Sequence, residues 1–326
     1  MDSIKDYGVN RRDKHFGPLE IYPAVDAIAF IVAILSILSN ALLFYITCFR
    51  RKFNFAIDSI MVTFIAVFDL IVSVFMFISL IFKWATDNVY TKDQSYWCHM
   101  SSILFGSTTF ATLTLVALFA VLRYLVIVKG YRIHSMTSVI ASIILIGSTW
   151  AIFLERSFSS SRLKVNPSGL YCVPQMWGRD WDDRVLAFYL LIITVPSIIM
   201  IPLFNSLVAV HYGKIVKEMG RESKIPGIGK LRSNVIKLFI IVFAYTITTL
   251  PEFISVIYVV ITDGIRYSLL DGIVITLFFS VTLVNSFFTL FLHDDTKREL
   301  YDMLGYGMSH FESFKMDRTD SDSEIC

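Results

Sequence analysis

Residues 98–124 read CHMSSILFGSTTFATLTLVALFAVLRY. No ionisable side chain lies between His99 and Arg123. A helix needs about 20 mostly apolar residues to cross a bilayer, and this run supplies them. It closes on Leu122-Arg123-Tyr124. An arginine at the end of a membrane-length helix must reach water along its own stem or find a partner, because its charge is costly in hydrocarbon.

Outward from this run the same pattern recurs, giving seven spans at 23–48, 57–82, 98–128, 136–154, 186–215, 234–262 and 267–292. Of the 326 residues, 55% are hydrophobic and 17% charged. A soluble chain carries about 25% charged residues. The composition therefore predicts an integral membrane protein. A formal charge of +2 provides no global basic field, so nucleic acid is not an expected partner. Met1 to Glu20 lacks the apolar core of a signal peptide, and the first span is expected to serve as its own insertion signal. Short links between spans predict a compact bundle with antiparallel neighbours. Duplicated halves are not visible, which weighs against transporters built from repeats.

Lysine and arginine in the short loops set the orientation. With the N-terminus outside, the inner face carries Arg50, Arg51, Lys52, Lys129, Arg132, the stretch from Lys214 to Lys237, Lys297 and Arg298. Basic residues of the outer loops are fewer and mostly accompanied by acids, while Lys5, Arg11, Arg12 and Lys14 in the N-terminal tail pull the other way. The expected architecture is an all-α seven-transmembrane helix bundle with its N-terminus outside. Residues 1–22 form an extracellular tail, 23–292 the seven-span domain, 293–306 an amphipathic juxtamembrane helix and 307–326 a disordered cytoplasmic tail. Leu300, Met303 and Leu304 at helical spacing make the apolar face of the juxtamembrane helix. The third inner loop, Gly213 to Ser233, is basic and suits either an acidic partner surface or anionic lipid headgroups. In the acidic tail, Thr319, Ser321 and Ser323 are candidate phosphorylation sites.

That orientation places Cys98 and Cys172 outside, where disulfides persist, so a bridge or two free thiols are the alternatives. Cys48, near the inner end of the first span, reads as a small apolar residue, and Cys326 ends the chain with no prenylation box. Polar groups inside the spans are expensive and therefore informative. Asp69 lies near the middle of the second span, with Asn40, Thr112, Thr282 and Asn285 as candidate partners. Such oxygens suit a small hard cation such as sodium, and equally an interhelical hydrogen-bond cluster. Glu252 follows Pro251, which is expected to kink the sixth span by removing a backbone donor.

These residues, in this order and one group per span, resemble the rhodopsin-like superfamily of G-protein-coupled receptors. Asn40 is similar to the family's first-span asparagine, Asp69 to its second-span aspartate and Trp150 to its fourth-span tryptophan. Cys98 and Cys172 resemble the outer disulfide pair, and the interval from Cys98 to Arg123 matches the family's third span without a gap. Pro251 and Asn285 look like the sixth-span proline and the asparagine of the seventh-span motif. Departures are clear: Leu122 stands where the family has an acid, Thr249 where it has tryptophan, and Asn285-Ser286-Phe287-Phe288-Thr289 lacks the motif's proline and tyrosine. For the fifth-span proline, Pro196 and Pro202 both qualify. Divergent seven-span chemoreceptors are a neighbouring reading.

The resemblance implies a plasma-membrane receptor that binds an extracellular ligand within the bundle and activates a heterotrimeric G protein through Arg123 and Tyr124. It implies a ligand pocket near Phe105, Thr109, Glu252, Phe253, Asp271, Ile275 and Phe279, with Val173 to Trp177 as a cover. Phe105 stands where amine receptors carry aspartate, and Phe279 where opsins carry the retinal lysine, so neither an amine nor retinal is expected. No cofactor is expected beyond a sodium ion at Asp69. The rival reading is a transporter or channel using Asp69 and Glu252. An enzyme is not expected, since the histidines are scattered and no nucleophile-elbow serine occurs.

Overall fold

The computed structural model describes residues 23–50, 57–86, 95–159, 163–174, 181–219, 228–262, 267–292 and 294–303. Seven helices are long and apolar enough to cross a membrane: Pro23–Arg50, Ile57–Ala85, Tyr96–Ile127, Ser135–Phe158, Leu191–Lys217, Val235–Tyr258 and Ser268–Phe291. In hydrocarbon every backbone polar group must be satisfied within the chain, which a helix does locally. Around the bundle the first span meets the second and seventh, and the sixth meets the fifth and seventh. The third span threads the middle and packs on the second, fourth and fifth.

Three of these helices depart from regular geometry, the first by ending in a π-helical segment, Ile46–Arg50. Residues Ser102–Ser107 of the third span form a π-helical segment. Within it Gly106 meets Phe153 of the fourth span so closely that a Cβ there would lie 2.7 Å from the ring. The seventh span is divided at Ser280 into Ser268–Phe279 and Val281–Leu292 without any proline.

The fifth and sixth helices extend beyond the expected spans, to Trp181–Met219 and Ile228–Thr262. The third inner loop predicted at Gly213 to Ser233 is therefore helical at both ends, and only residues 220–227 between them are outside the described residues. Basic side chains such as Lys214 and Lys217 suit a helix that leaves the hydrocarbon, because their stems let the charge reach water.

The sixth helix runs continuously through Pro251. A last helix, Asp294–Met303, follows the seventh span, and buried Leu300 packs with Leu43, Ile46 and Leu290. The N-terminal tail, Leu304 and the acidic C-terminal segment lie outside the described residues.

At the end of the bundle opposite Arg123, two short strands pair antiparallel: β1, Leu163–Val165, and β2, Cys172–Pro174. Cys172 is joined to Cys98, 74 residues earlier, by a disulfide. The expected pair is formed, and among the described residues Cys48 is the free cysteine.

Candidate functional site

The predicted polar residues of the first, second and seventh spans meet in the middle of the bundle. Asp69 is fully buried. Its Oδ2 accepts from Asn285 Nδ2 at 2.8 Å, and Asn285 Oδ1 in turn accepts from the Tyr245 hydroxyl of the sixth span. Beside this chain lies a second one. Asn40 Nδ2 donates to the Ser36 carbonyl at 2.9 Å and to the Thr282 carbonyl at 3.1 Å. The Ser36 hydroxyl is 2.7 Å from both Ser73 Oγ and Thr282 Oγ1, and Ser73 Oγ donates to the Asp69 carbonyl at 2.6 Å. One backbone carbonyl thus joins the two chains.

Sequence reading found Asn40, Asp69, Thr282 and Asn285 but missed Ser36, Ser73 and Tyr245. Serines are common in membrane helices and carry little signal alone. Tyr245 reads as one aromatic among many.

Among the described residues Asn40 Oδ1 is buried without a hydrogen-bond partner. Thr112 faces the Asp69 carboxyl from the third span. Carboxylate and hydroxyl oxygens are the donor types a small hard cation takes, so Asp69 and Thr112 fit the cation expected from the sequence.

At the Arg123 end the guanidinium lies 4.0 Å over the Phe119 ring, one helical turn back. Leu122 is buried in a cluster with Met61, Ile65 and Leu115. Arg123 makes no direct ion pair among the described residues, and the charge of Asp58 on the second span acts on it at longer range. Tyr124 stacks near Phe204, their ring centroids 5.1 Å apart.

At the disulfide end, the structure gathers Phe105, Ile275 and Phe279 in one buried cluster with Phe75, Met76 and Leu80. Asp271 is fully buried at its rim. The other pocket candidates stand apart. Thr109 turns its hydroxyl back to the Phe105 carbonyl at 2.6 Å, and Glu252 and Phe253 are half-buried on the sixth span outside this cluster.

The space among Phe105, Ile275 and Phe279 is filled by Leu170 and Tyr171, just before Cys172. The expected cover came after that cysteine. There, Val173 and Pro174 lie in β2, and residues 175–177 are outside the described residues. No motif marks the segment before Cys172, because its insertion is a matter of tertiary packing.

Residues 39–289 match the family described as 7 transmembrane receptor (rhodopsin family). The chain is also similar in structure to squid rhodopsin, seen in a crystal structure, with a TM-score of 0.66 and 13% identity. That similarity covers 95% of this chain and 93% of the rhodopsin chain, and it concerns the fold. No curated protein matches the chain.

Proposed function

Because the chain belongs to the rhodopsin family of seven-transmembrane receptors, we propose that it is a plasma-membrane receptor that activates a heterotrimeric G protein. In this reading the N-terminus is extracellular and the disulfide end holds the ligand. Arg123 and Tyr124 face the G protein at the cytoplasmic end. The observation that carries the reading is the hydrogen-bonded chain Asp69–Asn285–Tyr245. It ties the second, seventh and sixth spans together between the cluster around Phe105 and Phe279 and the Arg123 end. A ligand that moves the outer part of the seventh span pulls on Asn285, and through Tyr245 on the sixth span. Two arrangements of such a link are what a switch requires.

Phe279 in place of the retinal lysine supports a ligand other than retinal. Sodium, if bound, would be held by Asp69 and Thr112 and would supply positive charge that offsets the buried carboxylate. With Asp69→Asn, any dependence of basal signalling on sodium should disappear. Persistence of that dependence in the variant would remove Asp69 from the site.

The test of the receptor reading is guanine-nucleotide exchange on a panel of G proteins in membranes containing the chain. Exchange above background is expected, and Arg123→Ala at matched surface expression should reduce it at least tenfold. Absence of exchange with every G-protein class, despite proven ligand binding, would overturn the reading.

A further inference from the structure

Among the described residues, the turn between β1 and β2 is held more tightly than a surface loop requires. Gly169 adopts φ +71°, and its N–H donates to the Asn166 carbonyl at 2.8 Å, which folds the chain sharply into the bundle. Ser168 sits at the centre of a clamp. Its carbonyl accepts from Lys83 Nζ at 2.9 Å, and its N–H donates to Asp271 Oδ2 at 3.1 Å.

Lys83 is itself paired with Asp26 of the first span at 2.8 Å, both side chains being buried. Asp271 also accepts from Asn166 Nδ2 and the Tyr171 hydroxyl, each at 3.4 Å. Ser268 Oγ adds a bond to the Pro167 carbonyl at 2.8 Å.

Gly272 lets the seventh span approach: a Cβ there would lie 3.1 Å from Val25 and 3.8 Å from Ser168. The cleft remaining at the clamp is about 10 Å³, at the limit for one water molecule. Below the clamp, Leu170 and Tyr171 fill the cluster, with the Tyr171 ring centroid 5.2 Å from that of Phe105.

We propose that the turn Asn166–Tyr171 is a tethered occupant of the outer cavity, and that a free ligand for this cavity is a short peptide that takes its place. Lys83 reads a carbonyl and Asp271 an N–H, which together recognise peptide groups. The apolar space beside Phe105 and Phe279 takes the side chains that follow. Burial of the Asp26–Lys83 pair makes the clamp hard to open by halves, because removing one partner strands the other charge. This proposal takes its inside–outside orientation from the receptor reading but does not depend on coupling to any G protein.

The experiment is cysteine accessibility on the full chain in intact cells. A thiol introduced by Ile275→Cys, in the cavity floor, is reacted with a membrane-impermeant thiol reagent from outside. Slow labelling is expected, rising at least tenfold when Lys83→Met opens the clamp. Asp271→Leu, which removes the acceptor for the Ser168 N–H, serves the same purpose if the lysine variant does not reach the surface.

Equal labelling with the clamp intact and opened, at matched surface amounts, would overturn the tethered occupant. A second arm keeps Lys83 and Asp271 but frees both the clamp and the cavity by replacing residues 166–171 with a two-glycine turn between the paired Val165 and Cys172. Added hexapeptide Asn-Pro-Ser-Gly-Leu-Tyr should then slow labelling at position 275 severalfold. No protection at millimolar peptide would overturn the peptide class. Because labelling is read without any signalling output, failure here is separable from failure to activate a G protein.

Discussion

Arg123 is half-buried, with its charge over the Phe119 ring and Asp58 acting on it from the neighbouring span. A cation–π contact at a partly exposed site is worth about 0.5–1 kcal/mol. Asp58 is exposed and not in direct contact with the guanidinium, so its effect is at most the roughly 0.2–1 kcal/mol of an exposed ion pair. Both restraints are weaker than a direct pair with an acid at position 122, where this chain has a buried leucine. If the chain couples to a G protein as proposed, a loosely held resting state and measurable basal exchange are expected. Leu122→Asp should lower it. Asp58→Asn should raise it roughly two- to fivefold, the factor that about 1 kcal/mol or less allows. Unchanged basal exchange in both variants, at matched expression, would show that Arg123 does not govern the resting state.

At the scale of the elements, the sixth and seventh spans are coupled through a side-chain bond from Tyr245 to Asn285. The sixth helix runs on through Pro251, which contributes no N–H to its ladder. The seventh divides at Ser280, where no proline is present. A hydroxyl on the sixth span thus ties it to the half of the seventh span beyond that division. Removing it with Tyr245→Phe leaves the half-buried Asn285 oxygen without this donor, at a cost of about 0.5–1.5 kcal/mol. The expected result is a lower unfolding temperature in detergent together with higher basal exchange, because the sixth span is released. A loss of thermal stability with no change in exchange would make the bond structural only. The spans themselves were readable from sequence, since length and uninterrupted hydropathy suffice to define them. The π segment at Ser102–Ser107 was not, because it depends on how Gly106 and Phe153 fit between two helices.

For the whole molecule, the disulfide end is one mechanical unit: Cys98 and Cys172 bond the hairpin to the third span, and Ser101 Oγ accepts from the Cys172 N–H at 3.0 Å. The clamp at Ser168 then ties the same hairpin to the first, second and seventh spans. Loss of a native disulfide costs about 2–5 kcal/mol in small secreted domains. Cys172→Ser should accordingly lower surface expression and the unfolding temperature. Wild-type values for both would mean that the clamp alone positions the hairpin. Sequence alone determined the seven spans, the cysteine pairing implied by resemblance and the polar residues at mid-membrane, because each is a local property of composition, spacing or motif. It also marked Asp271 as a pocket residue. Only the tertiary structure decided that Asp271 is engaged by the chain's own loop and that Lys83 is buried against Asp26. These are relations between residues tens to hundreds of positions apart, and no one-dimensional period records which side chains meet when seven helices pack.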